Sequence, residues 1–111
     1  MPENQKLKVA AIGVGSLGRH HARNYAELAA EGRVELIGVC DTSPETGSAV
    51  AEAHSVRLFD DWRELLDSVD LVSVATPTET HCEIACEFLE RGVHVLVEKP
   101  IALTLDEADK M

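Results

Sequence analysis

Three glycines raise the first chemical question. Gly13-Val-Gly15-Ser16-Leu17-Gly18 fits the pattern G-x-G-x-x-G. The pattern alone arises often by chance, so its setting decides its weight. It follows a short apolar run, Lys8 to Ile12, and opens a proline-free stretch rich in Ala and Leu that stops at Gly32. In a strand–loop–helix unit of this kind, Gly13 allows the tight turn and Gly15 lets the backbone approach a pyrophosphate. Gly18 permits close packing of helix on strand. A helix starting near Ser16 turns its unpaired N–H groups, and the positive end of its dipole, toward that anion. A plain tight turn explains one glycine but not three at this spacing.

Asp41 supplies the second half of the pattern. It ends the apolar run Val34–Cys40 and lies 23 residues after Gly18, near the ~20 expected of a carboxylate that accepts hydrogen bonds from an adenosine ribose. Such a carboxylate repels a 2′-phosphate. Neither lysine nor arginine follows in Thr42-Ser43-Pro44-Glu45 to offset that repulsion. The expected cofactor is therefore NAD, with NADP disfavoured.

Two further strand ends carry proline: Ala75-Thr76-Pro77 and Glu98-Lys99-Pro100. Ligands of open α/β sheets bind outside the carboxyl ends of strands, and X-Pro bonds there read as rigid turns. Lys99 is the one lysine between Lys8 and Lys110. A lysine desolvated beside an oxidised nicotinamide is suited to general acid–base work, although a solvated surface charge is its commoner role. His81 shares a helix face with Ala85 and Phe88, which fits the edge of a core and a cofactor contact equally well. Cys82, Cys86 and His81 lack the further ligands of a metal site, so no metal is expected and the cysteines read as apolar packing. His20 and His21 read as packing or solvent residues, and Trp62 as a core or edge aromatic.

The elements that must position these residues alternate. Strands are expected at Lys8–Ile12, Val34–Cys40, Val56–Phe59, Leu71–Ala75 and His94–Val97. Helices are expected from Ser16 to Glu31, from the Ser43 cap and Pro44 to His54, and from a Thr78 cap to Arg91. Asp61-Trp-Arg-Glu64 resembles a capping box before a short helix ending near Leu66. Strands apolar on both faces, alternating with helices, imply a doubly wound parallel α/β sheet. Thr104-Leu-Asp-Glu107 opens a further helix only seven residues before Met111, which reads as a truncated longer chain.

Composition narrows the function classes. The 111 residues make one domain, 45% hydrophobic and 27% charged, with no apolar run long enough to span a bilayer. Three cysteines cannot form a complete disulfide framework and the first residues show no apolar signal segment, so a reducing, cytoplasmic setting is expected. The net charge of −10 argues against nucleic acid or an anionic membrane as partner. Residues 1–33 nonetheless carry five basic and three acidic groups, so the segment holding the glycines is the less acidic one.

Taken together the chain resembles the N-terminal half of the glucose–fructose oxidoreductase / inositol dehydrogenase / MocA family. The resemblance covers residues 7 to 111 and rests on Gly13 to Ala22, Asp41, Ala75-Thr-Pro-Thr-Glu-Thr-His81 and Gly92-Val-His-Val-Leu-Val-Glu-Lys-Pro100. It implies a Rossmann-type sheet with five of six strands present, and hydride transfer between a nicotinamide and the carbonyl or alcohol of a sugar, cyclitol or related ring. It implies Lys99 as the catalytic acid/base or orienting group and Glu98 near the nicotinamide ribose. It also implies a cleft lined by Thr76, Pro77 and His81, and a candidate cis bond at Lys99–Pro100. The family's C-terminal domain, which contacts substrate, has no counterpart here, so turnover by these residues alone is not expected. A dinucleotide-dependent sensor on the same fold is the alternative, and some relatives use NAD in glycoside cleavage. A CoA binder is disfavoured by Asp41 and Glu98 together. An uncovered last strand, Val93 to Val97, predicts self-association.

Overall fold

The computed structural model describes residues 6–111; the extreme N-terminus, where the absence of a signal segment was read, lies mostly outside them. Five parallel strands form one sheet: β1 (Leu7–Ile12), β2 (Val34–Cys40), β3 (Arg57–Phe59), β4 (Leu71–Val74) and β5 (His94–Val97). Their order is β3-β2-β1-β4-β5, so the chain winds outward from β1 in both directions. Four α-helices accompany them: α1 (Gly18–Ala30), α2 (Pro44–His54), α3 (His81–Glu90) and α4 (Leu105–Lys110). Short 3₁₀ turns occupy Trp62–Leu65 and Thr78–Thr80.

The alternation within β1 shows why a short strand suffices at the centre. Val9 and Ala11 face Ala22, Tyr25 and Ala51, from α1 and α2. Ala10 and Ile12 face the opposite layer, with Leu65, Ile84 and Phe88. All four β1 residues are essentially inaccessible, as a sheet covered on both sides requires. Phe88 is fully buried, and Trp62 packs on it with ring centroids 5.9 Å apart. Trp62 is thus an edge aromatic, as its sequence position suggested.

Element ends follow local chemistry, with three departures from expectation. Ser43 caps α2 by accepting from the Thr46 N–H at 3.3 Å, with Pro44 in the first turn. Gly32 and Gly92 adopt positive φ after α1 and α3. α1 begins at Gly18 rather than Ser16, although the Arg19 N–H already donates to the Gly15 carbonyl at 3.0 Å. Asp61 accepts from the Arg63 N–H two residues on, which winds a 3₁₀ turn in place of the expected helix. Thr78 opens a 3₁₀ turn and does not cap α3. The Thr80 hydroxyl at the helix entrance donates to the Pro77 carbonyl at 2.6 Å, so α3 starts without a side-chain cap. No helix among the described residues is long and apolar enough to cross a membrane.

Candidate cofactor site

The carboxyl ends of β1, β2 and β4 meet at the glycine loop and are stitched there by backbone hydrogen bonds. The Gly13 N–H donates to the Cys40 carbonyl at 2.7 Å, and the Ala75 N–H donates to the Ile12 carbonyl at 2.8 Å. Gly13 has φ +83°, and a Cβ there would lie 2.7 Å from the Ala75 backbone. At Gly18 a Cβ would stand 1.6 Å from the Gly13 carbonyl oxygen, because the helix sits directly on the turn. Gly15 is different: a Cβ there would meet nothing within 4 Å. Two glycines are needed for packing within the protein, while the middle one keeps open space beside its backbone. That is the cradle a pyrophosphate requires, and the first turn of α1 holds no carboxylate to neutralise its positive end. The residues present therefore fit a dinucleotide.

Asp41 holds the loop as well as facing it. Its carboxylate accepts from the Val14 N–H at 3.0 Å and from the Ser43 N–H at 2.8 Å, tying the glycine loop to the end of β2. A carboxylate offers about four acceptor sites, so capacity remains for ribose hydroxyls. A cleft of about 880 Å³ opens above, lined by Gly13, Gly15, Ser16, Asp41, Thr42, Ala75, Thr76 and Pro77 among the expected residues. Its size suits a cofactor-scale ligand.

Sequence reasoning did not assign Asp60, Asp61, Trp62, Arg63, Thr80 and Glu83 to this cleft, yet they line it. The available signal was topological: β3 pairs with β2 in parallel, so the segment after Phe59 had to emerge at the same mouth. Arg63 stacks on Trp62 at 4.4 Å and pairs with Asp61 at 3.2 Å and Glu83 at 3.0 Å, bridging to α3. Burial, then Asp41, Asp61, Asp60 and Glu64, push the Cys40 thiol up to about 12. That mouth is an acidic place.

The other expected residues lie outside the cleft lining. Leu17 is exposed at the N-cap of α1, and Gly18 is buried beneath the loop. Lys99 and Pro100 are exposed, joined by a cis peptide bond. His81 lines nothing: it is 1% exposed and set among backbone carbonyls. Its Nε2 lies 2.9 Å from the Thr76 oxygen, and its Nδ1 lies 3.1 Å and 3.2 Å from those of Pro100 and Ile101. Carbonyls only accept, so a singly protonated ring donates to one side and a doubly protonated ring to both. The Thr76 hydroxyl contacts the Thr80 hydroxyl at 2.6 Å, which passes its own proton to the Pro77 carbonyl.

His21, expected to pack or face solvent, instead contacts the Glu98 carboxylate from α1. A separation of 77 residues hides that pairing from any local pattern. The sulfurs of Cys82 and Cys86 are 3.9 Å apart and half-buried on the face of α3 beside α4, less enclosed than apolar packing implied.

Known proteins share this arrangement. Residues 7–111 match the GFO_IDH_MocA oxidoreductase family, described by its NAD-binding Rossmann fold. The chain is 41% identical to the UDP-N-acetylglucosamine 3-dehydrogenase of Acidithiobacillus ferrooxidans, over 95% of this chain and 32% of that protein. The structure of that enzyme superposes with a TM-score of 0.84, covering 33% of its chain. The WlbA dehydrogenase of Bordetella pertussis, solved with NADH and UDP-GlcNAcA, is 30% identical with a TM-score of 0.83, over 96% of this chain and 33% of that one. A glycosyl hydrolase family 109 protein of Shewanella putrefaciens is 39% identical, over 96% of this chain and 25% of that protein. The chain thus spans about a third or less of the length of these relatives. With the glycine loop, the Asp41 anchor and the β3-β2-β1-β4-β5 sheet in place, the chain belongs to the GFO_IDH_MocA oxidoreductase family, whose NAD-binding Rossmann fold it carries.

Proposed function

We propose that this domain serves an oxidoreductase that moves hydride between NAD and a carbonyl/alcohol pair on a sugar, cyclitol or related ring. The observation that carries the cofactor reading is the open backbone at Gly15 beside a glycine loop pinned by Asp41. A bound nicotinamide supplies the hydride chemistry. This chain's own residues seat the pyrophosphate on α1, accept the ribose hydroxyls at Asp41 and place Lys99 for the substrate proton. The acidic ring of Asp41, Asp60, Asp61 and Glu64 around Cys40 supports NAD over NADP, since a 2′-phosphate brought there meets like charge. Among the described residues Lys99 forms no ion pair, which suits a proton-handling role for its ammonium. Substrate contacts and the second domain are assigned to sequence beyond the third of the relatives' length that this chain matches.

Self-association belongs to the same reading. β5 is a sheet edge, and Leu96, Ile101, Leu103 and Leu105 beside it are each more than half exposed. A cytoplasmic setting, with neither nucleic acid nor an anionic membrane as partner, is part of the same proposal and is supported by the net charge of −10 and the three cysteines.

The test uses Trp62, which lines the cleft. Titrating NADH and NADPH while following energy transfer from Trp62 should show NADH bound at least ~10-fold more tightly, the worth of one like-charge contact. Equal or tighter NADPH binding overturns the role given to Asp41. The glycosyl hydrolase relative supports a second reading, in which NAD assists glycoside cleavage. Release of free sugar from a nitrophenyl glycoside by the full-length protein, with no net NADH formed, would select it.

A further inference from the structure

We propose that His21 and His81 act as a pair of positioning residues that fix the turn carrying Lys99, a reading that rests on Lys99 as the proton-handling group. The β5 ladder ends where the Glu98 N–H donates to the Val74 carbonyl at 3.1 Å. Beyond it, among the described residues, positions 99 to 102 make no backbone–backbone hydrogen bond. Side chains hold the turn instead, one from each direction. His21 reaches from α1 to the Glu98 carboxylate, immediately before Lys99. His81 reaches from the start of α3 to the carbonyls of Pro100 and Ile101, immediately after it.

Each histidine also belongs to a part of the cofactor site. α1 carries His21 and begins at the glycine loop, so the pyrophosphate seat and Glu98 are set by one rigid element. Its other ring nitrogen lies 2.9 Å from the Thr76 carbonyl oxygen, and Thr76 lines the cleft. The lysine is thereby placed relative to the cofactor from two sides, although its own side chain is exposed. Reactions between bound groups are sensitive to ångström-scale misplacement, so such bracketing has catalytic value. Burial sharpens the point at His81: no water reaches the ring to replace a lost partner.

The experiment compares His21→Leu, His21→Gln, His81→Leu and His81→Gln in this chain. It measures amide hydrogen exchange at Glu98, the last hydrogen-bonded amide before the turn, labelling of the Lys99 amine by acetic anhydride, and NADH binding. Each Leu variant should exchange the Glu98 amide ~10-fold faster, the usual worth of one hydrogen bond, while amides of β1 keep their protection. Lys99 labelling should change with it. His21→Gln still donates to Glu98 and should restore the wild-type rates, which a loss of packing volume would not allow. Wild-type exchange and labelling in a folded Leu variant overturns the proposal. Should His81→Leu fail to fold, His21→Leu decides, because that side chain is 20% exposed and its loss leaves the core intact. Absent NADH binding in the wild-type chain defeats the proposed function and leaves the exchange result to decide the bracket.

Discussion

The two halves of the sheet end in sites built on different principles. On the β1–β2 side, backbone fixes the geometry: Gly13, Val14 and Ser43 donate to Cys40 and Asp41, and close contacts dictate glycine at 13 and 18. On the β4–β5 side, the turn holding Lys99 lacks backbone partners past Glu98 and is tied by His21 and His81. The hydrogen bonds that pin the first loop lie within one βαβ unit and the residues just after it, although Ala75 from the end of β4 packs against Gly13. The second takes residues from four separated stretches of chain. The proposed cofactor loop is therefore pinned largely by local contacts, whereas the proposed placement of Lys99 is not.

The strongest way to break this contrast is at Lys99. On the proposed function, Lys99→Ala in a protein carrying the substrate domain should lower turnover of its sugar or cyclitol substrate by ~10²–10⁴-fold, the range for losing a general acid–base group, and leave the NADH dissociation constant unchanged. Steady-state kinetics beside direct titration separates the two quantities. Unchanged turnover removes Lys99 from the mechanism. A parallel loss of NADH affinity makes it part of the binding half instead.

Two glycine substitutions sharpen the binding side. Gly18→Ala forces a Cβ against the Gly13 carbonyl and should cost about 3 kcal/mol of stability, read by urea denaturation. Gly15→Ala meets open space, so the fold should keep its midpoint while NADH affinity drops by ~10-fold or more, because the methyl occupies the cradle. If Gly15→Ala binds as well as wild type, the pyrophosphate does not lie where the loop leaves room for it.

Legibility in the sequence followed the same division. Gly13, Gly15, Gly18 and Asp41 could be read from their spacing, because the strand–loop–helix turn demands glycine at 13 and 18 and a bound pyrophosphate and ribose would call for Gly15 and Asp41. The doubly wound parallel sheet followed from alternation and handedness, and the structure supplies its strand order. Trp62, Arg63 and Glu83 were not read as cleft residues, because the 3₁₀ turn after β3 and the first turn of α3 come together at the cleft only in three dimensions. The contacts of His21 with Glu98, and of His81 with Pro100 and Ile101, were not read for a related reason. Those partners are a carboxylate and carbonyls 19 to 77 residues away, and a carbonyl leaves no signature in sequence. The missing cap of α3 likewise depends on the Thr80 hydroxyl, already engaged by the Pro77 carbonyl.

A subtler effect concerns the acidic mouth. The Cys40 thiol, ordinarily near 9.0, is pushed up to about 12 in the folded protein. The native state thus keeps its proton where the unfolded chain gives it up, and ionisation above pH 9 favours unfolding. This contribution to stability is whole below pH 9 and is lost as pH rises through about 12. Urea midpoints should fall between pH 9 and 11 in wild type and fall less steeply in Cys40→Ala. Equal slopes would mean that Cys40 is not held neutral by its surroundings. Iodoacetamide on the folded protein should also spare Cys40 and modify the half-exposed Cys82 first.

The smallest effect falls on Arg63, where the two halves touch across the cleft. Its pairs with Asp61 and Glu83 are half or more exposed, so Arg63→Ala should change stability by less than ~1 kcal/mol. Its bearing on cofactor choice is the sharper measurement. Among the described residues Arg63 is the one cation lining the cleft and the natural seat for a 2′-phosphate, yet two carboxylates already occupy its guanidinium. With that charge spent, Arg63→Ala should leave the ratio of NADH to NADPH affinity within ~3-fold of wild type. A large drop in NADPH binding alone would mean that the arginine leaves Glu83 to take the phosphate. The acidic mouth would then be an adjustable site, and the contrast between a locally built half and an assembled half would fail at the place where they meet.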